Sequence, residues 1–264
     1  MSAPLTYSSY LRLADVLNAQ SPKSTGPEHD EMLFIIIHQV YELWFKEMLH
    51  EVDFLQARLR QNDSARALHT LRRLLTILKT VVAQIDVLET MTPLEFNSFR
   101  GFLESASGFQ SAQFREMEFV LGYKRLNLVH HFADDPAAVE RLKRRYAQPT
   151  LWDAFLCYLS LNDVPVPAGA LHRDVTQSIA PSPEVQAMLV GVYRQNPALV
   201  RVCERMVDFD EGMQEWRYRH VKMVERTIGV RMGTGGSSGS SYLKVTLDKK
   251  FFPELWEART LLAG

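Results

Sequence analysis

The sequence predicts an all-α fold, read as a single large helical domain over residues 1–264 built on a bundle of long helices. Three observations carry this. Apolar residues recur at spacings of three, four and seven through long stretches without proline, the pattern of helices with one buried face. Helix-start signals stand ahead of several of these stretches: Thr92-Pro93, Asp135-Pro136, Ser182-Pro183 and Asn196-Pro197 each join an N-cap residue to a proline suited to the first helical position. No segment shows a sustained apolar–polar alternation of the kind that marks a strand. With 46% hydrophobic residues, a chain of 264 residues can fill a sizeable core.

The elements follow in order. Residues 1–27 form a mixed N-terminal segment, with a short helix expected from Tyr10 to Leu17 and a Ser/Pro/Gly loop over 18–27. Tyr7 and Tyr10 lie near a terminus, where such residues ordinarily pack on their own chain or fray. Residues 28–61 read as a long helix. Glu28, Asp30 and Glu31 crowd its first turn, where the helix dipole favours negative charge. Phe34, His38, Tyr41, Phe45, Met48, Val52, Leu55 and Leu59 mark its inward face. Residues 64–90 give a second helix with Leu68, Leu71, Leu75, Leu78, Val82, Ile85 and Leu88 on one stripe. Thr92-Pro93-Leu94-Glu95 is a capping box that starts a short helix to about Glu104. Another helix ends near Leu121, before Gly122. His130 and His131 fall in a loop-like stretch, and helices follow from Asp135 to Arg145 and from Thr150 to about Leu161. Residues 162–182 are a Pro-rich connection. Helix resumes at Ser182 and, after Asn196, runs to Ile228 with Leu199, Val202, Cys203, Met206, Phe209, Met213, Trp216, His220, Met223 and Val224 on one stripe. Residues 229–242 are a glycine-rich segment, and Pro253–Leu262 closes the chain as a short helix.

Composition narrows the function. A net charge of −1 argues against nucleic acid and against a membrane surface as the main partner. The longest apolar run, Met32–Ile37, is far too short to span a bilayer. The N-terminus lacks a secretory pattern, and Cys157 and Cys203 read as reduced thiols, so a cytoplasmic setting is expected.

Four features bear on chemistry. His220 lies inside an apolar stripe, so it projects inward. There it is either a core histidine bonded to a carbonyl or an axial ligand to haem iron. Arg217, Arg219, Lys222 and Arg226 near it could meet haem propionates or form a solvated face, the latter being the ordinary fate of most such residues. His38 also points inward. Arg100 stands alone in an uncharged stretch, as a surface arginine paired with Glu104 or as a bidentate clamp on a carboxylate. The Gly233–Gly239 run, GTGGSSG, is a flexible linker by composition or, directly after the His220 helix, a lid. Glu47 and His50 have the Glu-x-x-His spacing of di-iron bundles, but no second such unit exists in the chain, so they read as exposed polar residues.

Three motifs make a resemblance specific: DEMLFIIIHQxxELWFK around His38, TPxEFxxFRxxLxxxSGFQSxQFRxxE around Arg100, and RHxxxVxRxIGxxxGTGGSSGxxYL around His220, followed by Phe251-Phe252-Pro253-Glu254-Leu255-Trp256. They resemble the tryptophan 2,3-dioxygenase family, in four ordered blocks at 5–13, 28–46, 92–118 and 216–259. The resemblance implies one haem b per subunit with His220 as axial iron ligand. It implies insertion of O2 across the indole C2–C3 bond of L-tryptophan to give N-formyl-L-kynurenine, the first step of the kynurenine pathway. It further implies that Phe34 packs on the indole, His38 accepts its N–H, and Arg100 and Thr234 hold the carboxylate and ammonium. Ser107 would lie beside the distal haem face. Some members carry Tyr where this chain has Phe96, so any phenol contact to the carboxylate is absent here. The N-terminal segment would reach a neighbouring active site through Tyr7, Tyr10 and Leu11, in a homotetramer built as a dimer of dimers, and residues 229–242 would be mobile and close over substrate. A haem- and indole-binding sensor without turnover and a cofactor-free helical interaction protein are the alternatives.

Overall fold

The computed structural model describes residues 4–26, 28–234 and 239–262. Its helices, in chain order, are α1 (Tyr7–Leu11), α2 (Leu13–Leu17), α3 (His29–Arg60), α4 (Ser64–Leu88), α5 (Pro93–Arg100), α6 (Ala112–Val120), α7 (Pro136–Ala147), α8 (Leu151–Ser160), α9 (Ala168–Leu171), α10 (Pro183–Gln195), α11 (Pro197–Ile228), α12 (Ser240–Lys244) and α13 (Pro253–Leu262). Three 3-10 turns occupy Gly101–Leu103, Gly108–Gln110 and Leu126–Phe132. No strand occurs among the described residues, as the sequence predicts.

The caps explain where the helices begin. Asn196 accepts from the Leu199 N–H, Asp135 from Ala138 and Ser182 from Val185. Thr92 with Glu95 and Thr150 with Asp153 form reciprocal capping boxes. Each satisfies amide groups that a helix start leaves without partners. Lys124 does the converse at the end of α7: its buried ammonium donates to the carbonyls of Arg145, Tyr146 and Gln148 at 2.7–2.9 Å.

α4 packs against both α3 and α11, which make no comparable contact with each other. This is why the stripe expected on α4 differs from the observed one. Leu68 and Leu75 are only half-buried, while Ala67, Leu74, Ile77 and Val81 are buried as well, because α4 must bury two faces. On α11 a glycine, Gly212, permits the approach: a Cβ there would lie 2.6 Å from Leu78 Cδ2 of α4. The main core joins residues such as Val52, Leu55, Leu71, Phe155, Val202 and Phe209. A second cluster, with Ile37, Ile85, Leu88, Phe96, Phe99 and Met223, fills the other end of the three long helices.

Three local expectations change. The helix expected over Tyr10–Leu17 is two separate turns, broken at Arg12, whose φ of 51° leaves the helical region. A Thr6–Ser9 capping box sets the start at Tyr7 instead, and neither α1 nor α2 buries a residue. The helix after Thr92 ends at Arg100 and tightens into a 3-10 turn. The stretch holding His130 and His131 is also a 3-10 turn, because Leu128, Val129 and Phe132 pack inward. Glu31 does more than meet a helix dipole. Buried, it accepts from the Lys23 and Ser24 amides and the Ser24 hydroxyl, fastening the preceding loop to α3.

Cys157 and Cys203 are free thiols, and burial pushes the Cys203 thiol up. No described helix is long and apolar enough to cross a membrane.

Asp210 ties the C-terminal segment to α11. Its fully buried carboxylate accepts from the amides of Phe251 and Phe252 and from Trp256 Nε1, each at 3.0 Å. Asp210→Ala would leave three buried donors without an acceptor and should lower unfolding free energy by about 3 kcal/mol or more. Urea denaturation measures this, and an unchanged midpoint would show that water replaces the carboxylate.

Candidate active site

The space that α4 keeps between α3 and α11 is partly filled by aromatic rings and partly open. Trp216 of α11 packs against Phe45 and Tyr41 of α3 at ring-centroid distances of 6.1 and 6.4 Å, and against Phe114 of α6 at 5.0 Å. Beside these rings lies a cavity of about 260 Å³. Phe34, His38, Phe96, Arg100, Ser107, Thr234 and His220 all line it. Seven residues singled out in sequence thus converge on one space. Tyr7, Tyr10 and Leu11 do not: they are 76%, 71% and 41% exposed on α1 and line no part of it.

The two histidines arrive from different helices in different states of bonding. His38 Nδ1 lies 2.7 Å from the Phe34 carbonyl, one helical turn back. A carbonyl only accepts, so Nδ1 carries the proton and, in the neutral ring, Nε2 keeps its lone pair. Burial lowers the His38 pKa, which holds the ring neutral. His220 has no hydrogen bond among the described residues. Burial, and then the neighbouring His38, lower its pKa to about 4. Trp216 stacks on the His220 ring at 5.2 Å with 7° between planes, which restrains its orientation. A neutral, unbonded, oriented imidazole is suited to bind a metal through one nitrogen. Among the described residues no group of three or more His, Cys, Asp or Glu is placed to hold an ion. Glu47 is half-buried and His50 exposed.

Phe34 forms an aromatic wall with its neighbours, 4.1 Å from the His38 ring, 5.8 Å from Phe96 and 5.6 Å from Phe99. Arg100 does not pair with Glu104. Its Nη2 donates to the Met232 carbonyl at 2.6 Å, which leaves other guanidinium donors beside the cavity. The Thr234 hydroxyl donates to the Ala106 carbonyl at 2.5 Å, and Ser107 Oγ accepts from the Phe109 amide.

Of the four basic residues near His220, three follow the ordinary expectation: Arg219 and Arg226 pair with Glu89, and Lys222 with Glu225. Arg217 is the exception. It is 4% exposed and lines the cavity, its Nη1 donating to the carbonyls of Lys249 and Thr246 at 2.6 and 3.3 Å. Sequence reasoning also missed Glu42, Arg115, Glu118, Arg125 and Tyr242 as lining residues. Arg115 and Glu118 sit three apart inside the motif around Arg100, a usable signal for one another; nothing local marks Arg125. Glu118, buried, accepts from Arg115 and, at 2.8 and 2.9 Å, from Arg125.

Charge at this wall is unbalanced. Among its charged lining residues Arg100, Arg115, Arg125 and Arg217 outnumber Glu42 and Glu118; Arg115 and Arg125 share Glu118, and Asp210 lies near Arg217. Arg115 Nε, Arg125 Nε and Arg217 Nη2 are buried donors without a partner. Unpaired buried guanidinium donors call for an anionic acceptor.

Gly235, Gly236, Ser237 and Ser238, the centre of the expected mobile loop, lie outside the described residues. The flanks of the loop meet: Gly239 has φ +61°, and a Cβ on it would lie 2.4 Å from the Arg231 carbonyl oxygen. Gly239→Ala should therefore force the flanks apart and speed tryptic cleavage after Arg231. An unchanged cleavage rate would mean that this contact does not persist in solution.

Comparison with known proteins places the whole chain in one family. The family model described as tryptophan 2,3-dioxygenase matches residues 1–161 and 171–262, so its gap falls within the Pro-rich connection. A relative named tryptophan 2,3-dioxygenase from Herpetosiphon aurantiacus is 63% identical over 259 residues, covering 98% of this chain and 99% of its own. Relatives of the same name from Anaeromyxobacter dehalogenans and Caulobacter vibrioides are 52% and 43% identical, each over 99% of this chain and over 97% and 100% of their own. A cavity between two long helices with a neutral histidine on each, and matches that run from end to end of the chain, lead to one conclusion: this chain belongs to the tryptophan 2,3-dioxygenase family.

Proposed function

We propose that this chain is a haem-dependent dioxygenase that inserts both atoms of O2 across the indole C2–C3 bond of L-tryptophan, giving N-formyl-L-kynurenine at the head of tryptophan catabolism. The observation that carries the reading is the cavity itself, which has an imidazole held neutral by burial on each of two helices and more cations than anions in its wall.

The residues fit haem b. His220, with Trp216 stacked on it, would hold the haem iron. Arg115, Arg125 and Arg217 line the cavity as candidate partners for the propionates. When bound, haem would supply the redox-active iron at which O2 becomes reactive.

The chain's own groups would position the substrate. Phe34 offers a ring face to the indole, and His38 Nε2, with its lone pair free, accepts the indole N–H. Arg100 takes the carboxylate while Thr234 takes the ammonium, and Ser107 borders the same space. Phe96 adds only apolar surface, so Arg100 carries more of the carboxylate's recognition than it would beside a phenol. Holding the indole in one pose converts an encounter into a first-order event, which is a large share of the catalysis available here. The exposed Tyr7, Tyr10 and Leu11 suit contact with a neighbouring subunit's site in a homotetramer built as a dimer of dimers. A cytoplasmic setting fits two cysteines that are free thiols.

The test is a visible spectrum of the reduced, oxygen-free protein with and without L-tryptophan, followed by product assay under air. A Soret band that shifts with L-tryptophan, and turnover, are expected. A shifting band without product would favour a sensor, and no band after haem reconstitution would overturn the reading. His220→Ala should lose the band or hold haem weakly. Arg100→Ala should raise KM for L-tryptophan by the worth of a charged hydrogen bond, roughly 10- to 150-fold; steady-state kinetics that leave KM unchanged would remove Arg100 from this role.

A further inference from the structure

The segment after the glycine-rich run has little apolar anchorage. α12 buries only Ser240, and Val245 is largely exposed. What holds residues 240–249 is mainly polar: Lys244 pairs with Glu225 of α11, and cations of the cavity wall supply further bonds. Arg125 Nη1 donates to the Tyr242 hydroxyl at 3.2 Å, and Arg217 Nη1 donates to the Thr246 and Lys249 carbonyls. The Tyr242 ring also meets the edge of Phe109, centroids 5.4 Å apart. The two arginines that fasten this segment thus also carry buried donors without partners, and Tyr242 itself lines the cavity. The phenol oxygen accepts from Arg125, so its own O–H remains available to donate.

We propose that Tyr242 is a positioning residue that couples cofactor loading to the placement of residues 240–249. Its hydroxyl donates to a carboxylate arm of the bound cofactor while accepting from Arg125, so that arm, Arg125 and the segment lock together. This rests on the haem reading above. An acidic arm also removes the repulsion between Arg125 and Arg217, both of which hold the segment in place.

Hydrogen exchange of peptides covering 240–249 tests this on the full chain, without cofactor, with haem and with haem dimethyl ester. Haem should slow exchange in this segment and the ester should not. Tyr242→Phe keeps the ring contact with Phe109 and removes only the hydroxyl. It should still take up haem, shown by its Soret band, yet lose the protection. Its haem should pass to an apomyoglobin scavenger about tenfold faster, the effect of one charge-assisted hydrogen bond. Equal protection by the ester, or wild-type protection and release in Tyr242→Phe, would overturn the coupling and leave the haem reading standing. The absence of any haem band in the wild-type chain would overturn both.

Discussion

The site depends on the spacing that α4 imposes. α3 and α11 each pack on α4 and hardly on each other, so a gap runs between the helices that carry His38 and His220. Gly212 lets α11 come close to α4 at Leu78, where the core is tight. Towards the His220 end, large rings take over: Trp216 bridges to Tyr41 and Phe45, and the remaining space is the cavity. A dry, closely packed half therefore serves as the rigid base for a half that is left open. Rigid elements hold a constellation of side chains more accurately than loops do.

Within that gap burial acts on the histidines and the arginines alike, but the two respond differently. Burial disfavours the imidazolium form of both rings, which leaves one unprotonated nitrogen on each for a ligand or a substrate. Guanidinium groups cannot respond in this way, because their pKa is too high to be shifted across neutrality. They stay charged and must be satisfied. Glu118 satisfies Arg115 and Arg125 in part, and carbonyls satisfy Arg217 in part, but buried donors remain. The wall is thus built at a cost to the empty protein that an anionic ligand offsets. This is the physical sense in which the cavity favours an anionic ligand.

Much of this was legible in the amino-acid sequence. Helix starts at Asn196, Thr92, Thr150 and Asp135 follow from side chains that cap their own amides, and the inward faces of α3 and α11 follow from periodicity, His38 and His220 included. Local rules suffice there because the partners are three or four residues apart. The motifs around His38, Arg100 and His220 carried the resemblance to the family, and with it Phe34, Ser107 and Thr234 as cavity residues. The break at Arg12 and the two-sided burial of α4 were not legible, since both depend on what does or does not pack against the helix.

The sequence alone determined the all-α class, the order and caps of the helices, and which faces turn inward, because each rests on short-range periodicity and hydrogen bonding. Only the tertiary structure decided which inward residues share one space. Arg217 looks like its neighbours Arg219 and Lys222 in sequence, yet it is buried because the segment from Ser240 to Lys249 folds back over it and offers two carbonyls. Arg125 and Tyr242, far apart in the chain, meet for the same reason. No periodicity encodes such pairs. They arise when elements distant in sequence close around a common cavity, and there the charge of each group is judged against neighbours that the local sequence does not name.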